Sequence, residues 1–490
     1  MATYKHGVYV SEVATRITPP ITGSAGLQVV FGTAPINMAA DPYAATNVPI
    51  LAYSYAEAVN ALGYVEDFEH YTLCQSIDLS FRVIGVAPVV FINVLDPAKH
   101  KKTIPAAQVS VLSGVARVAM TGLLPDTVKV AADAESATVY QAGTDYLLSF
   151  DNDGALLVTL VPTGAAGAAN TLYVSGTAID PTMVTAADVI GGINVSTGAE
   201  TGLELVRHIY PKFGLTPGLL LAPGWSHLPE VAAVMQGKTT GINGVFQCNT
   251  LIDVDCGADG AQKYTDVKQV KEDTGLTNVN AYPLWPMAKI GAKKYRYSAF
   301  MGAEIQYIDA NNGDIPNIRL SNKTTSLTCA CLEDGTEVLL DQEQANLVNS
   351  FGVTTLLNLN GWRTWGNNTA AYPGTTDPKD RWFAVRRFFN WWRNSFVLTY
   401  FQKVDDPANY RLIENITDSE NIRGNGYVAR GICARAEIQF LEDENPATDI
   451  LNGTIRFHQF LSPYVPAECI ENTLEFDPNA LQSALAGGEA

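Results

Sequence analysis

Residues 213–224 read FGLTPGLLLAPG. Within them Gly218–Ala222, GLLLA, is an apolar run with no polar position, closed by Pro223-Gly224. So short a run without alternation predicts a strand buried on both faces, as in a parallel sheet covered by helices. Working outward, Gln28–Phe31, Val89–Leu95, Phe246–Val254 and Val353–Leu359 read as further strands. Between them lie helical stretches: Ser54–Leu62, Glu69–Ile84, Pro229–Lys238, Thr265–Asp273, Tyr295–Asn311 and Gln342–Ser350. Ser54 is placed to cap the first of these and Gly63 to end it. Strands alternating with helices predict an α/β fold.

Residues 104–195 interrupt that pattern. Ala, Val, Thr and Gly dominate, and short strands recur at 116–121, 127–131, 146–150, 156–161 and 171–174. Asp153-Gly154 after Asn152 is a hairpin turn, because Asp-Gly tolerates positive φ. The stretch reads as an all-β domain inserted into the α/β domain. The resulting division is a core of 21–103 and 196–370, the insertion at 104–195, and a mixed α+β C-terminal domain at 371–466. Extended arms at 1–20 and 467–490 flank these.

With 490 residues, three domains of ordinary size are expected. The formal charge of −18 repels phosphate backbones and anionic lipid, so no direct nucleic-acid partner and no membrane insertion are expected. The longest apolar run, Val83–Leu95, is too short for a bilayer and contains Pro88. Residues 1–20 lack the apolar core of a signal peptide. The seven scattered cysteines form no CxxC pair and suit buried, reduced thiols.

Chemistry is sparse. None of the six histidines lies in HExxH. Cys329 and Cys331 share one side of a strand but lack further ligands. Gly224-Trp225-Ser226-His227 is not the GxSxG elbow, and Ser226 reads more simply as a helix N-cap. Asp253 and Asp255 have the residue type to hold a cation, but acidic residues after a parallel strand are common without one. No phosphate-binding loop of the GxxxxGK[ST] type occurs. No catalytic, cofactor or metal site is expected, and a structural role is favoured over an enzymatic one.

Two features stand out. Gly361–Lys403 holds seven basic and two acidic residues, a net +5 that leaves −23 on the rest of the chain. It also holds five of the seven tryptophans. Residues 380–403 read as an aromatic helix in which Arg386, Arg387 and Arg393 form a docking face for an acidic partner; a buried core helix is the alternative. Second, the segments YKHGVYVSEV (4–13) and CIENTLEF (469–476) read as lone strands. A single strand is unstable alone, so each must dock on its own domain or add to a sheet in another chain; having one at both ends makes exchange at least an equal expectation, through Val8 and Val10 in one and Ile470, Leu474 and Phe476 in the other.

Together these segments resemble the phage tail sheath family. The likeness runs from His6-Gly7-Val8-Tyr9-Val10-Ser11-Glu12 through Tyr140, Gly143-Thr144-Asp145-Tyr146 and Ala187-Asp188-Val189-Ile190-Gly191-Gly192. It continues through Phe213–Gly224 to Asn360-Gly361-Trp362-Arg363-Thr364-Trp365-Gly366-Asn367 and Arg386-Arg387-Phe388. The resemblance implies a discontinuous, subtilisin-like α/β core without protease activity. It implies six-fold rings stacked around an inner tail tube protein, with terminal arms completing sheets in neighbouring subunits. Arg386, Arg387 and Arg393 would then face the tube. Baseplate and tail terminator proteins are the further partners implied. The place implied is the virion tail, assembled in the host cytoplasm, and contraction would drive the tube through a cell envelope. A subtilisin-like hydrolase and a static shell protein are the alternatives.

Overall fold

The computed structural model describes residues 21–22, 24–135 and 137–485. Val8, Val10 and the expected arm of 1–20 lie outside the described residues.

Six strands build the central sheet, in the order Ala281–Leu284, Asn249–Asp253, Leu219–Leu221, Gln28–Gly32, Val89–Asn93, Ile50–Ala52. All neighbours are parallel except the last pair. The run that predicted this sheet, Leu219–Leu221, sits third in it, with all three side chains buried. Helices cover the faces. The central helix Tyr297–Asn311 has ten buried residues, so it lies inside the molecule rather than on it. Ser54 caps Tyr55–Leu62 by accepting from Glu57 N, and Gly63 ends that helix at φ 74°.

A second six-stranded sheet, wholly antiparallel, occupies residues 101–179. It has its own core, which includes Val118, Val130, Leu156, Val158, Leu172 and Val174. Its first strand, Lys101–Leu112, was not foreseen; two exposed lysines and Pro105 disguise it. Lys101 pairs directly with Ile179, so the sheet begins and ends at one point on the α/β body. Asp153-Gly154 does form the turn between Tyr146–Phe150 and Ala155–Leu160.

Two expectations are corrected in register or partner. The stretch read as Val353–Leu359 joins the parallel sheet only at Thr354, in a single parallel bridge to Leu284; Thr355–Asn358 pairs antiparallel with Trp362–Trp365 around Asn360-Gly361, both at positive φ. The segment 469–476 forms no strand: residues 464–477 carry no secondary structure, and a helix, Pro478–Leu485, follows. A strand needs a ladder partner, and this chain alone supplies none there.

The linker after residue 370 is tied down by Lys271. Its Nζ donates to Phe351 O (2.6 Å), Ala370 O (2.7 Å) and Tyr372 O (2.8 Å). Burial pushes this ammonium down to about 8. Beyond the linker, the aromatic helix Phe383–Tyr400, the long helix Tyr410–Ala429 and the pair Cys433–Gln439/His458–Pro463 enclose a third core around Ile315, Phe388, Trp392 and Cys433.

Candidate assembly surface

The aromatic helix is amphipathic in an unexpected sense: its charges mostly point inward. Arg387 is 3% exposed and meets the fully buried Asp309 of the central helix in a bidentate pair. Arg386 is also largely buried, bonded to Asp380 (3.2 Å) and Asn390 (3.0 Å). Arg381 holds Glu468, and Lys379 holds Asp377 and Asp380. The reading of Arg386 and Arg387 as a docking face is therefore corrected. Their partners lie on the same chain, and a guanidinium taken from water must be paired where it is buried. Only Arg393, of the three, is exposed, and no ion pair to it is formed among the described residues.

The aromatic rings have an internal cation. Arg423, on the long helix, lies over Trp392 at 4.3 Å and near Trp391 and Tyr427. Its partner Glu420 is fully buried and accepts from Arg423, Tyr400 Oη (3.2 Å) and Gln459 Nε2 (3.1 Å). Nothing in the sequence around 420–423 signalled this cluster, because its partners lie up to 39 residues away.

The two-stranded pair beside it has one closed edge and one open edge. Helix Tyr410–Ala429 closes the Cys433–Gln439 side. Asn421 takes both backbone groups of Ile438, accepting from its N–H (2.8 Å) and donating to its carbonyl (3.0 Å). At Gly424 the helix approaches so closely that a Cβ would sit 2.0 Å from Ala436 O. Ile438 thus turns its backbone away from Gln459, its partner in register. Antiparallel pairing then turns the N–H and C=O of Gln459 to the outer side of His458–Pro463. Among the described residues nothing pairs with that edge.

From the same strand the chain leaves the body. Arg319 Nη2 donates to Val465 O (3.0 Å) and Arg381 to Glu468 (2.8 Å); past Glu468 no hydrogen bond to the body is formed among the described residues. Ile470 and Leu474 are each 87% exposed and Phe476 is 74% exposed. Tyr464, Val465 and Leu485 are exposed as well. The three residues read from the sequence as exchange positions are thus placed on an outlying segment, bare of any cover.

Ser226, weighed above as a nucleophile, and Asp253, weighed as a cation ligand, come together, but as packing. Ser226 Oγ and Ser298 Oγ both donate to the Asp253 carboxylate (3.1 and 2.5 Å), and Ser298 N donates to its other oxygen (2.8 Å). Both serines are fully buried. Ser226 is not the expected N-cap; that position falls to Leu228. Burial holds His227 below its ordinary pKa, with Arg296 acting in the same direction. Asp255 accepts from Gly257 N, and no cluster of metal-ligating side chains occurs among the described residues. Cys329 and Cys331 are buried free thiols. No described helix is long and apolar enough to cross a membrane.

No protein-family model matches the chain. Over 480 residues it is 26% identical to the tail sheath protein of Burkholderia phage BcepMu, covering 92% of each chain. It is 24% identical over 310 residues to the tail sheath protein of Escherichia phage P2, covering 58% of this chain and 69% of that one. These likenesses to tail sheath proteins support a place in the contractile tail sheath family. Solved sheath structures share its fold. The sheath complex of PVC, an extracellular contractile injection system in the contracted state, matches with a TM-score of 0.57 at 14% identity, over 98% of this chain and 99% of that one. The sheath tail protein of Desulfitobacterium hafniense gives 0.51 at 9% identity, over 94% and 100%. The likeness in fold thus extends over nearly all of the chain.

Proposed function

We infer that this chain is the non-enzymatic building block of a contractile tail sheath. It polymerises as stacked six-fold rings around an inner tube, and the sheath shortens to drive that tube through a cell envelope. The observation that carries this reading is the pairing of two unfinished parts: a segment, 464–485, with its apolar side chains in water, and the unpaired outer edge of His458–Pro463.

An alternating segment completes an open sheet edge through main-chain hydrogen bonds, while every second side chain packs beneath. Here Ile470, Leu474 and Phe476 fall on one face. Burying each contributes about 1.5–3 kcal/mol. The occupant proposed for the edge is therefore the terminal segment of a second copy. Because each subunit both offers and receives a segment, the contact repeats without closing on a dimer and builds a lattice. Connected in this way, domains can turn relative to one another while the polymer stays intact. No nucleotide is needed if the extended sheath is held in a kinetic trap above the contracted state.

The tube-facing surface is proposed around Arg393 and the exposed Leu398, Phe401 and Val404 at the end of the aromatic helix and the turn after it, with Tyr410 at the start of the long helix. The core is read as subtilisin-like in topology, with the domain bounds given above. Its hydrolase alternative is disfavoured because Ser226 and Ser298 are sealed from any substrate. Baseplate and terminator proteins would cap the two ends, in a virion tail assembled in the host cytoplasm.

Deletion of residues 467–490, or Leu474→Pro, tests the exchange. Proline removes a ladder donor. Both variants should remain folded by circular dichroism yet sediment as single subunits where the full chain pellets as polymer. Polymer of ordinary length from either variant would refute strand exchange at this end.

A further inference from the structure

Both ends of the folded body are fastened to a single loop. Residues 312–320 follow the central helix, and internal bonds fix their shape. Asn312 Nδ2 donates to Ile315 O (2.7 Å) and to Asn317 Oδ1 (2.5 Å), and Asp314 N donates back to Asp309 O (2.8 Å). Asp314 sits at φ 60°, a conformation that Asp tolerates better than most residues. Ile315 is 4% exposed and inserted among Phe388, Trp392 and Cys433 of the C-terminal core.

From this socketed loop two side chains reach opposite ends of the sequence. The Asp314 carboxylate accepts from Ser24 N (2.9 Å), Ser24 Oγ (2.6 Å) and Ala25 N (2.7 Å), across 290 residues. Five positions later, Arg319 Nη2 donates to Val465 O (3.0 Å), across 146 residues. Both contacts are hydrogen bonds to a charged side chain, and Asp314 gathers three donors at once. One turn before the loop, Asp309 pairs with Arg387, which ties the same region to the aromatic helix.

We propose that residues 312–320 are a shared clasp, in which Asp314 and Arg319 fix the roots of the two terminal segments relative to one another. Load on one segment passes to the other through a few residues of one loop, not through the sheets of the separate cores. That consequence rests on the exchange of segments proposed above; the clasp itself belongs to the single chain.

Hydrogen–deuterium exchange on the purified full chain tests it. Asp314→Ala should speed exchange in the peptide holding Ser24 and Ala25 about tenfold, the effect of losing a charge-assisted hydrogen bond. It should also speed exchange in the peptide spanning His458–Val465, about threefold or more, because the loop is common to both. Arg319→Ala should produce the reciprocal pattern. Should Asp314→Ala fold poorly, Asp314→Asn removes one acceptor oxygen and carries the same test with smaller changes. If each substitution affects only its own end, or neither, the clasp is wrong. Polymerisation of the unsubstituted chain is scored separately. Loss of coupling with intact polymer overturns the clasp alone, and coupling without polymer overturns the proposed function alone.

Discussion

Arg387 carries its charge inward, and Asp309 is the reason. The two lie on different helices, 78 residues apart, and both are essentially out of solvent. Breaking such a pair leaves one charge stranded in a low-dielectric interior, which costs about 3–5 kcal/mol, whereas replacing both partners by apolar groups costs far less. Arg387→Met should therefore lower the denaturant midpoint markedly, and Arg387→Met with Asp309→Leu should recover most of the loss. A double variant no more stable than the single would show that the pair is not the source. At this scale the sequence was least legible. A run such as Arg386-Arg387 announces charge but not its partner. Asp253 looked like a cation ligand and proved to be the acceptor for two serines, one of them 45 residues on.

At the scale of elements, legibility followed local signals. Gln342–Ser350 was found at the bounds read for it, because Asp341 and Gln344 form a capping box that sets its start. The stretch read as a helix over 69–84 begins only at Leu73 and changes at Leu79 to a π-helical turn, a shift that no periodicity encodes. The segment 469–476 has the alternation of a strand and stays unpaired, since pairing is decided by what lies beside it. The aromatic helix divides along its length. Its first half is locked to the core, and its last turns present Arg393 with Leu398 and Phe401 exposed. An exposed ion pair contributes less than about 1 kcal/mol, but it repeats with every subunit. Arg393→Glu should thus leave free subunits folded and reduce co-sedimentation with purified inner tube severalfold, and high salt should weaken the unsubstituted chain in the same way. Equal recovery on tubes for Arg393→Glu would remove the helix from the tube contact.

For the whole molecule, the parallel and the antiparallel six-stranded sheets were legible as separate stretches because their compositions and periodicities differ. The antiparallel sheet of 101–179 returns to its starting point, so it stands as a side unit and the parallel sheet continues past it. What no single chain displays is the lattice. Its traces are negative ones: Ile470, Leu474 and Phe476 with nothing over them, and the outer edge of His458–Pro463 with nothing beside it among the described residues. On the proposed exchange, these complete one another between copies. Cryo-electron microscopy of the purified full-length chain tests it most directly. Strand exchange predicts hollow helical tubes of six-fold rings, with residues 469–476 of each subunit paired as a strand along His458–Pro463 of another. Tubes in which that edge stays empty, or in which the segment folds back on its own chain, would contradict it.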